Sequence, residues 1–277
     1  MARGEPRGSG ERGGSGALRP APPPERLERV LIAADFHLDG GEPGRDRLAA
    51  LLELARAESA PLFILGDLFH YWFGRRHLEL PMYAQEIALL ADAVRSGVRA
   101  YVWPGNRDFL LDSVFSEATG IWVGGDETTV HLGRERVSVS HGDLFATADL
   151  HYQAMRQLVR SAPIRLLARH LPTRWVDRIA ARLRRHSQRV VREKPAATLE
   201  PDRAAVLATL RAGADTVICG HFHQFHDERF PAELGGGRFL VLEPFEARGA
   251  YLRGSEDGWS LGHVTSPGRR ALGGGAS

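Results

Sequence analysis

The chain has 277 residues, 43% of them hydrophobic, with a formal net charge of +2 at pH 7. That length and apolar content suffice for one large domain or for a domain with an insertion, and the near-neutral balance excludes any inference about partners from average charge. The single cysteine, Cys219, excludes an internal disulfide and a cysteine-based zinc site, and fits a reducing compartment.

Residues 1–26 are expected to form a disordered tail. Gly, Pro, Arg and Ser dominate up to Pro24, and there is no apolar core of the kind a secretory signal requires. Strand-like runs follow at Arg29–Ala34, Pro61–Leu65, Val98–Trp103, Arg136–Ser140, Asp215–Cys219 and Arg238–Leu242. They are nearly continuous in apolar residues, as strands covered on both faces are. Between them, Arg45–Glu58, Met82–Ser96 and Asp202–Ala212 carry helical spacing. This alternation predicts an α/β fold with helices outside the sheet. The core is expected to span 27–148 and 202–266, with a second tail over 267–277.

Residues 149–201 break the alternation. No strand pattern occurs there, and Leu158, Ile164, Leu167, Trp175 and Ile179 supply apolar faces of two or three predicted helices, punctuated by Pro163 and Pro172. Between Arg156 and Lys194 the only acids are Asp177 and Glu193, against many arginines. The segment reads as a helical cap inserted over the active site. No stretch of the chain approaches the ~20 apolar residues a membrane span requires.

Chemistry is concentrated in five short blocks, each directly after a predicted strand: Asp35-Phe36-His37, Gly66-Asp67, Gly105-Asn106-Arg107-Asp108, Ser140-His141-Gly142-Asp143 and Gly220-His221-Phe222-His223. Open α/β sheets place ligands at such strand ends. Phosphoester hydrolysis needs charge stabilisation on the phosphoryl oxygens and a hydroxide at neutral pH, and two divalent ions about 3.5–4 Å apart supply both. Carboxylate and amide oxygens mixed with imidazoles suit Mn²⁺, Fe or Zn²⁺ better than Ca²⁺. In Asp35-x-His37 and His221-x-His223, alternate residues leaving a strand are expected to point the same way. Gly66 and Gly105 suit tight turns and close approach. Any one block alone is most often an ordinary turn; the five together in this order point to a metal site.

The blocks resemble those of the calcineurin-like metallophosphoesterase superfamily, over about Arg29 to Tyr251. The resemblance implies a sandwich of two mixed β-sheets flanked by helices, with the metals at the strand ends. It implies one ion held by Asp35, His37, Asp67 and His223, and the other by Asp67, Asn106, His141 and His221, with Asp67 bridging. The longer runs Gly66-Asp67-Leu68-Phe69-x-x-Trp72-Phe73-Gly74 and His141-Gly142-Asp143-x-x-x-Thr147-x-Asp149-x-x-Tyr152 look like those of UDP-2,3-diacylglucosamine pyrophosphohydrolases of the lipid A pathway. That narrower resemblance implies Mn²⁺ dependence, cleavage of the substrate pyrophosphate to UMP and 2,3-diacylglucosamine 1-phosphate, and work at the cytoplasmic face of the inner membrane as a peripheral protein. It gives catalysis to Asp67, Asn106, Arg107 and His141. Substrate contacts fall to Asn106, Arg107, Asp149, Tyr152, His221 and, on the cap, Ser187 and Lys194.

The chain departs from that pattern at His70, where Glu is usual, at Arg75 and Arg76, where acids are, at Gln224-Phe225, where Arg-Pro is, and at Val190 and Val191. None is an implied metal ligand. The alternative reading is another metal-dependent phosphodiesterase or phosphatase, acting on a nucleotide, a nucleic acid or a lipid headgroup. Sparse aromatics in the basic cap disfavour a single-strand nucleic-acid platform, and a scaffold without activity sits poorly with a complete set of ligand residues. Cys219, Trp72 and Trp103 are expected to be buried, His70 and His226 to neighbour the site, and Asp108 and Asp143 to orient ligands or cap turns.

Overall fold

A computed structural model describes residues 20–72, 74–147, 153 and 200–265. Strands β1 (Arg26–Leu27), β2 (Arg29–Ala34), β3 (Leu62–Leu65), β4 (Ala100–Trp103), β5 (Trp122–Val123) and β6 (Glu127–Leu132) are followed by β7 (Glu135–Ser140), β8 (Thr216–Cys219), β9 (His226–Arg229), β10 (Arg238–Val241), β11 (Ala250–Ser255) and β12 (Gly258–His263). The helices are α1 (Glu42–Ala57), α2 (Ala84–Arg95), α3 (Ser113–Thr119), α4 (Arg203–Arg211) and the short α5 (Phe245–Arg248). The strands form two six-stranded mixed sheets, ordered β1-β6-β7-β8-β10-β9 and β12-β11-β2-β3-β4-β5.

The side-chain period of two builds the layers. In β2, Val30, Ile32 and Ala34 join Phe63, Leu65, Tyr101 and Trp103 on one face, where they meet Val130, Val137, Val139, Ile218 and Leu240 of the other sheet. The alternate residues Leu31 and Ala33, with Leu62, Ile64 and Val102, turn outward to α1, α2 and α3 through Leu48, Leu51, Leu90 and Phe115. On the far side Val217, Cys219, Phe239 and Val241 pack on Val206 and Leu210 of α4. The order is therefore helix, sheet, sheet, helix, the sandwich expected, and burial on both faces explains why these strands carry continuous apolar runs.

The six predicted strands and three predicted helices all form, with ends shifted by a few residues. Strands with a different signature escape that pattern. In β6 burial alternates, with Val130 and Leu132 inward and Thr129 exposed, the signature of a sheet with one wet face. The hairpin β11–β12 is interrupted by Gly254 and Gly262, whose missing side chains leave room for the Trp259 and Tyr251 rings respectively. No helix among the described residues is long and apolar enough to cross a membrane.

The expected cap lies outside the described residues except for Gln153 and 200–201. The described residues on either side of it are joined. The Thr147 hydroxyl donates to the Asp202 carboxylate, and Asp202 N donates to the Phe145 carbonyl at 2.7 Å.

Candidate metal centre

Each block lies at the C-terminal end of a strand: β2, β3 and β4 in one sheet, β7 and β8 in the other. Because β2, β3 and β4 run parallel, and β7 and β8 likewise, all five ends open on one edge of the sandwich. Backbone pairing continues past the strand ends. His37 N donates to the Asp67 carbonyl at 2.9 Å, and Gly220 N to the His141 carbonyl at 2.9 Å, so the blocks lie side by side.

The backbone there is unusual. Asp35 (φ 56), His37 (φ 45), Asp67 (φ 48), His221 (φ 72) and His223 (φ 56) all occupy the left-handed region, which L-residues other than Gly enter at a cost of roughly 1–2 kcal/mol. This corrects the strand-pleat account of the D-x-H and H-x-H spacings: the paired residues do not sit on a pleat, because the chain has already left the strand and each of them takes a left-handed φ. The glycines permit the closeness. A Cβ on Gly66 would lie 2.1 Å from His141 Nδ1, and one on Gly105 2.2 Å from Asp67 Oδ1.

The predicted ligands converge. Asp67 turns Oδ2 to His37 Nε2 at 3.2 Å and Oδ1 towards His141 Nε2 at 3.9 Å. Asp35 Oδ1 lies 3.5 Å from His223 Nε2, while its Oδ2 accepts from His221 N at 2.9 Å, joining the two sheets. Asn106 Oδ1 is 2.9 Å from His141 Nε2 and 3.1 Å from His221 Nδ1. His141 is oriented from behind by the Leu65 carbonyl, 3.1 Å from Nδ1. Arg107 donates its backbone N–H to Asp67 Oδ1 at 2.8 Å, with Nε 3.3 Å from Oδ2. Asp149, Tyr152, Ser187 and Lys194 lie outside the described residues.

Burial alone would push the Asp67 carboxyl up; the charges of His141, His37 and Arg107 outweigh it and hold the group far below the usual carboxylate range. Burial opposes a charge on His37, but Asp67 and Glu246 on its two nitrogens raise it to about 10. For His221, burial and the neighbouring His141 act together and lower it to about 4, so it is neutral at pH 7 with a lone pair to offer. Burial and the Asp67 charge raise Asp108 to about 7.

The donor set fits divalent ions. Asp35, His37 and His223 place ligand atoms within 4.8 Å of one another, as do Asp35, Asp67 and His141. Asp35 Oδ1 is buried without a hydrogen-bond partner, and a carboxylate oxygen so placed is expensive unless a cation takes it. Asp108 accepts from the amides of Leu68 (2.7 Å) and Gly105 (2.7 Å), fastening the Gly66-Asp67 block to the Gly105-Asn106 block. His70 neighbours the site, its ring 5.8 Å from that of His37; His226 instead pairs with Glu228 at 3.2 Å. Cys219, Trp72 and Trp103 are buried as expected. Glu246, which no motif announces, reaches His37 Nδ1 at 2.9 Å.

Comparison with known proteins supplies the context. The calcineurin-like phosphoesterase family matches residues 28–225. A Pseudomonas putida protein named UDP-2,3-diacylglucosamine hydrolase is 32% identical over 236 residues, covering 84% of this chain and 97% of its own. Proteins of the same name from Ralstonia nicotianae and Photorhabdus laumondii are 33% identical over 239 residues and 36% identical over 199. These alignments cover 81% and 70% of this chain, and 88% and 82% of theirs.

Proposed function

The chain belongs to the calcineurin-like phosphoesterase family of metal-dependent hydrolases, and from that premise we propose that it hydrolyses UDP-2,3-diacylglucosamine, as its curated relatives are named for doing. Cleavage of the pyrophosphate would yield UMP and 2,3-diacylglucosamine 1-phosphate for lipid A biosynthesis. The observation that carries the reading is the meeting of both sheets' strand-end blocks around Asp67, in a chain whose relatives share that name over most of their length.

Asp35, His37, Asp67 and His223 would hold one divalent ion, and Asp67, Asn106, His141 and His221 the other, with manganese the metal we favour. Two oxygens of Asp67 turned to different histidines support its shared role. Bound there, the ions supply charge stabilisation for phosphoryl oxygens and acidify water. The protein contributes orientation. Arg107, anchored to Asp67 through its backbone N–H and Nε, is left with its terminal nitrogens to grip phosphate as a planar fork, which a lysine could not do. Neutral His221 and the Asn106 amide flank the place where the phosphate would sit. Cleaving a pyrophosphate expels a phosphate monoester, a weakly basic leaving group, which lessens the need for a strong general acid.

Residues 149–201 would form the cap, with apolar faces lining a chamber for the acyl chains and Asp149, Tyr152, Ser187 and Lys194 reaching sugar and phosphate. The joined ends at Thr147 and Asp202 support an insertion hinged beside the site. Its arginines would rest on the anionic cytoplasmic face of the inner membrane, each worth roughly 1 kcal/mol near the surface. Flotation with anionic vesicles checks this: no association at low salt would remove the membrane contact.

The test of function is UMP release from UDP-2,3-diacylglucosamine by Mn²⁺-loaded protein, with UDP-N-acetylglucosamine and the Asp67→Ala and Asn106→Ala variants as controls. Release from the lipid substrate alone, abolished in both variants, is the expected result. Hydrolysis of a generic phosphodiester without UMP release would move the substrate elsewhere in the family.

A further inference from the structure

The Asp35–His37 block is gripped by a turn from the far end of the chain. Ala34 bridges to Pro244. The Glu246 N–H donates to the Asp35 carbonyl at 3.2 Å. Phe245 stacks on Phe36, with centroids 4.2 Å apart and planes 28° from parallel. Glu246 Oε1 lies 2.9 Å from His37 Nδ1. All three residues of the block are thus held by helix α5, whose own place is fixed by the fully buried Phe245.

The side-chain contact has a chemical consequence. A neutral imidazole carries one N–H, and an ionised carboxylate can only accept. Nε2 faces Asp67 Oδ2 at 3.2 Å, and a divalent ion shared with Asp67 would take the Nε2 lone pair in place of that contact. With Nε2 so used, the one remaining ring proton stands on Nδ1, where Glu246 accepts it. A carboxylate behind a ligating histidine also fixes the ring's rotation and raises its basicity, and losing such a partner typically costs about 10–100-fold in metal affinity or activity.

We propose that Glu246 is a positioning residue of the metal centre, holding His37 in the Nδ1-protonated tautomer and the ring orientation that present Nε2 to a divalent ion. The inference rests on the reading of His37 as a ligand. Because half of the Glu246 side chain is exposed, at 46%, its replacement should leave the fold intact.

The test is calorimetric titration of the full-length, metal-stripped protein with Mn²⁺, alongside its thermal midpoint, for wild type, Glu246→Ala, Glu246→Gln and His37→Ala. Glu246→Ala should weaken one class of Mn²⁺ site by about 10–100-fold, leaving the other class and the metal-free midpoint unchanged. Glu246→Gln, which can still accept from Nδ1–H without the charge, should fall between. Wild-type affinity in both Glu246 variants would overturn the proposal. So would weakening of both classes together with a lowered metal-free midpoint, which marks a merely structural residue. Should the alanine variant not fold, the glutamine variant decides by the same titration. His37→Ala separates the two readings: if it binds Mn²⁺ like wild type, the ligand assignment itself fails; if it alone loses binding, only the role of Glu246 does.

Discussion

At the scale of single residues, the site is made from backbone that resists being made. Among the described residues, the non-glycine positions with left-handed φ are Asp35, His37, Asp67, His221, His223 and Ser59; all but the last are proposed metal ligands. Strain of this kind, of order 1–3 kcal/mol per residue, persists only where surrounding contacts over-determine it. Here those contacts include the Asp35 carboxylate on the His221 amide and the Asp67 carboxylate on the Arg107 amide. Gly105 shows how little room is left. Its replacement by alanine would set a Cβ 2.2 Å from Asp67 Oδ1 and 2.4 Å from Asp67 N. Gly105→Ala should cost about 1–3 kcal/mol of stability from overpacking and, by displacing the shared carboxylate, depress UMP release by at least about 100-fold, as small displacements at catalytic groups do. Wild-type turnover in that variant, measured beside its thermal melt, would refute the placement of Asp67.

At the scale of elements, parallel neighbours do the assembling. Strands β2, β3 and β4 deliver three blocks to one edge and β7 and β8 the other two, so no long loop has to find the site. The outer strand β9 shows a different economy. His226-Asp227-Glu228-Arg229 is polar along its length, with three charged residues in succession, which suits a sheet edge that must not recruit another strand. Asp227 is tied to β10 by the Arg238 fork at 2.8 and 2.7 Å. The hydrogen bonds from Arg238 outweigh partial burial and hold its carboxyl below the usual range. A carboxyl whose folded pKa is depressed adds stability above its unfolded value of about 3.9 and loses it as pH falls through the folded value. Because the Asp227 side chain is 36% exposed, screening limits the pair to roughly 0.2–1 kcal/mol. Urea unfolding should find Asp227→Asn less stable than wild type by that amount at pH 7, with the gap closing towards pH 3. A gap of constant size across that range would show that the ionised pair is not its source.

At the scale of the whole molecule, two sheets close on one dry interior filled by Phe63, Trp103, Val139 and Ile218, and the metal centre lies where that interior opens. The carboxylates of Asp35 and Asp67 are stranded at the edge of an apolar sandwich, which is why His37, His141, His223 and Arg107 gather on them. On the other sheet Phe145 packs into the core with Phe239, and close by the Thr147 hydroxyl donates to the Asp202 carboxylate.

The chain's order of residues determined the chemistry. Asp35, His37, Asp67, Asn106, His141, His221 and His223 are legible because each stands in a short block after an apolar run, and strand burial on two faces writes that run into the sequence. The α/β alternation was legible for the same reason, since hydrophobic period is local. Strands such as β6 and β12 were not, because one wet face and interrupting glycines erase the period that marks a buried strand. Only the tertiary structure decided that the paired residues of the proposed site take left-handed φ, that Asp67 divides its oxygens between histidines from different sheets, and that Glu246 stands behind His37. The last two are contacts between segments far apart in the chain, and no local pattern of residues encodes them.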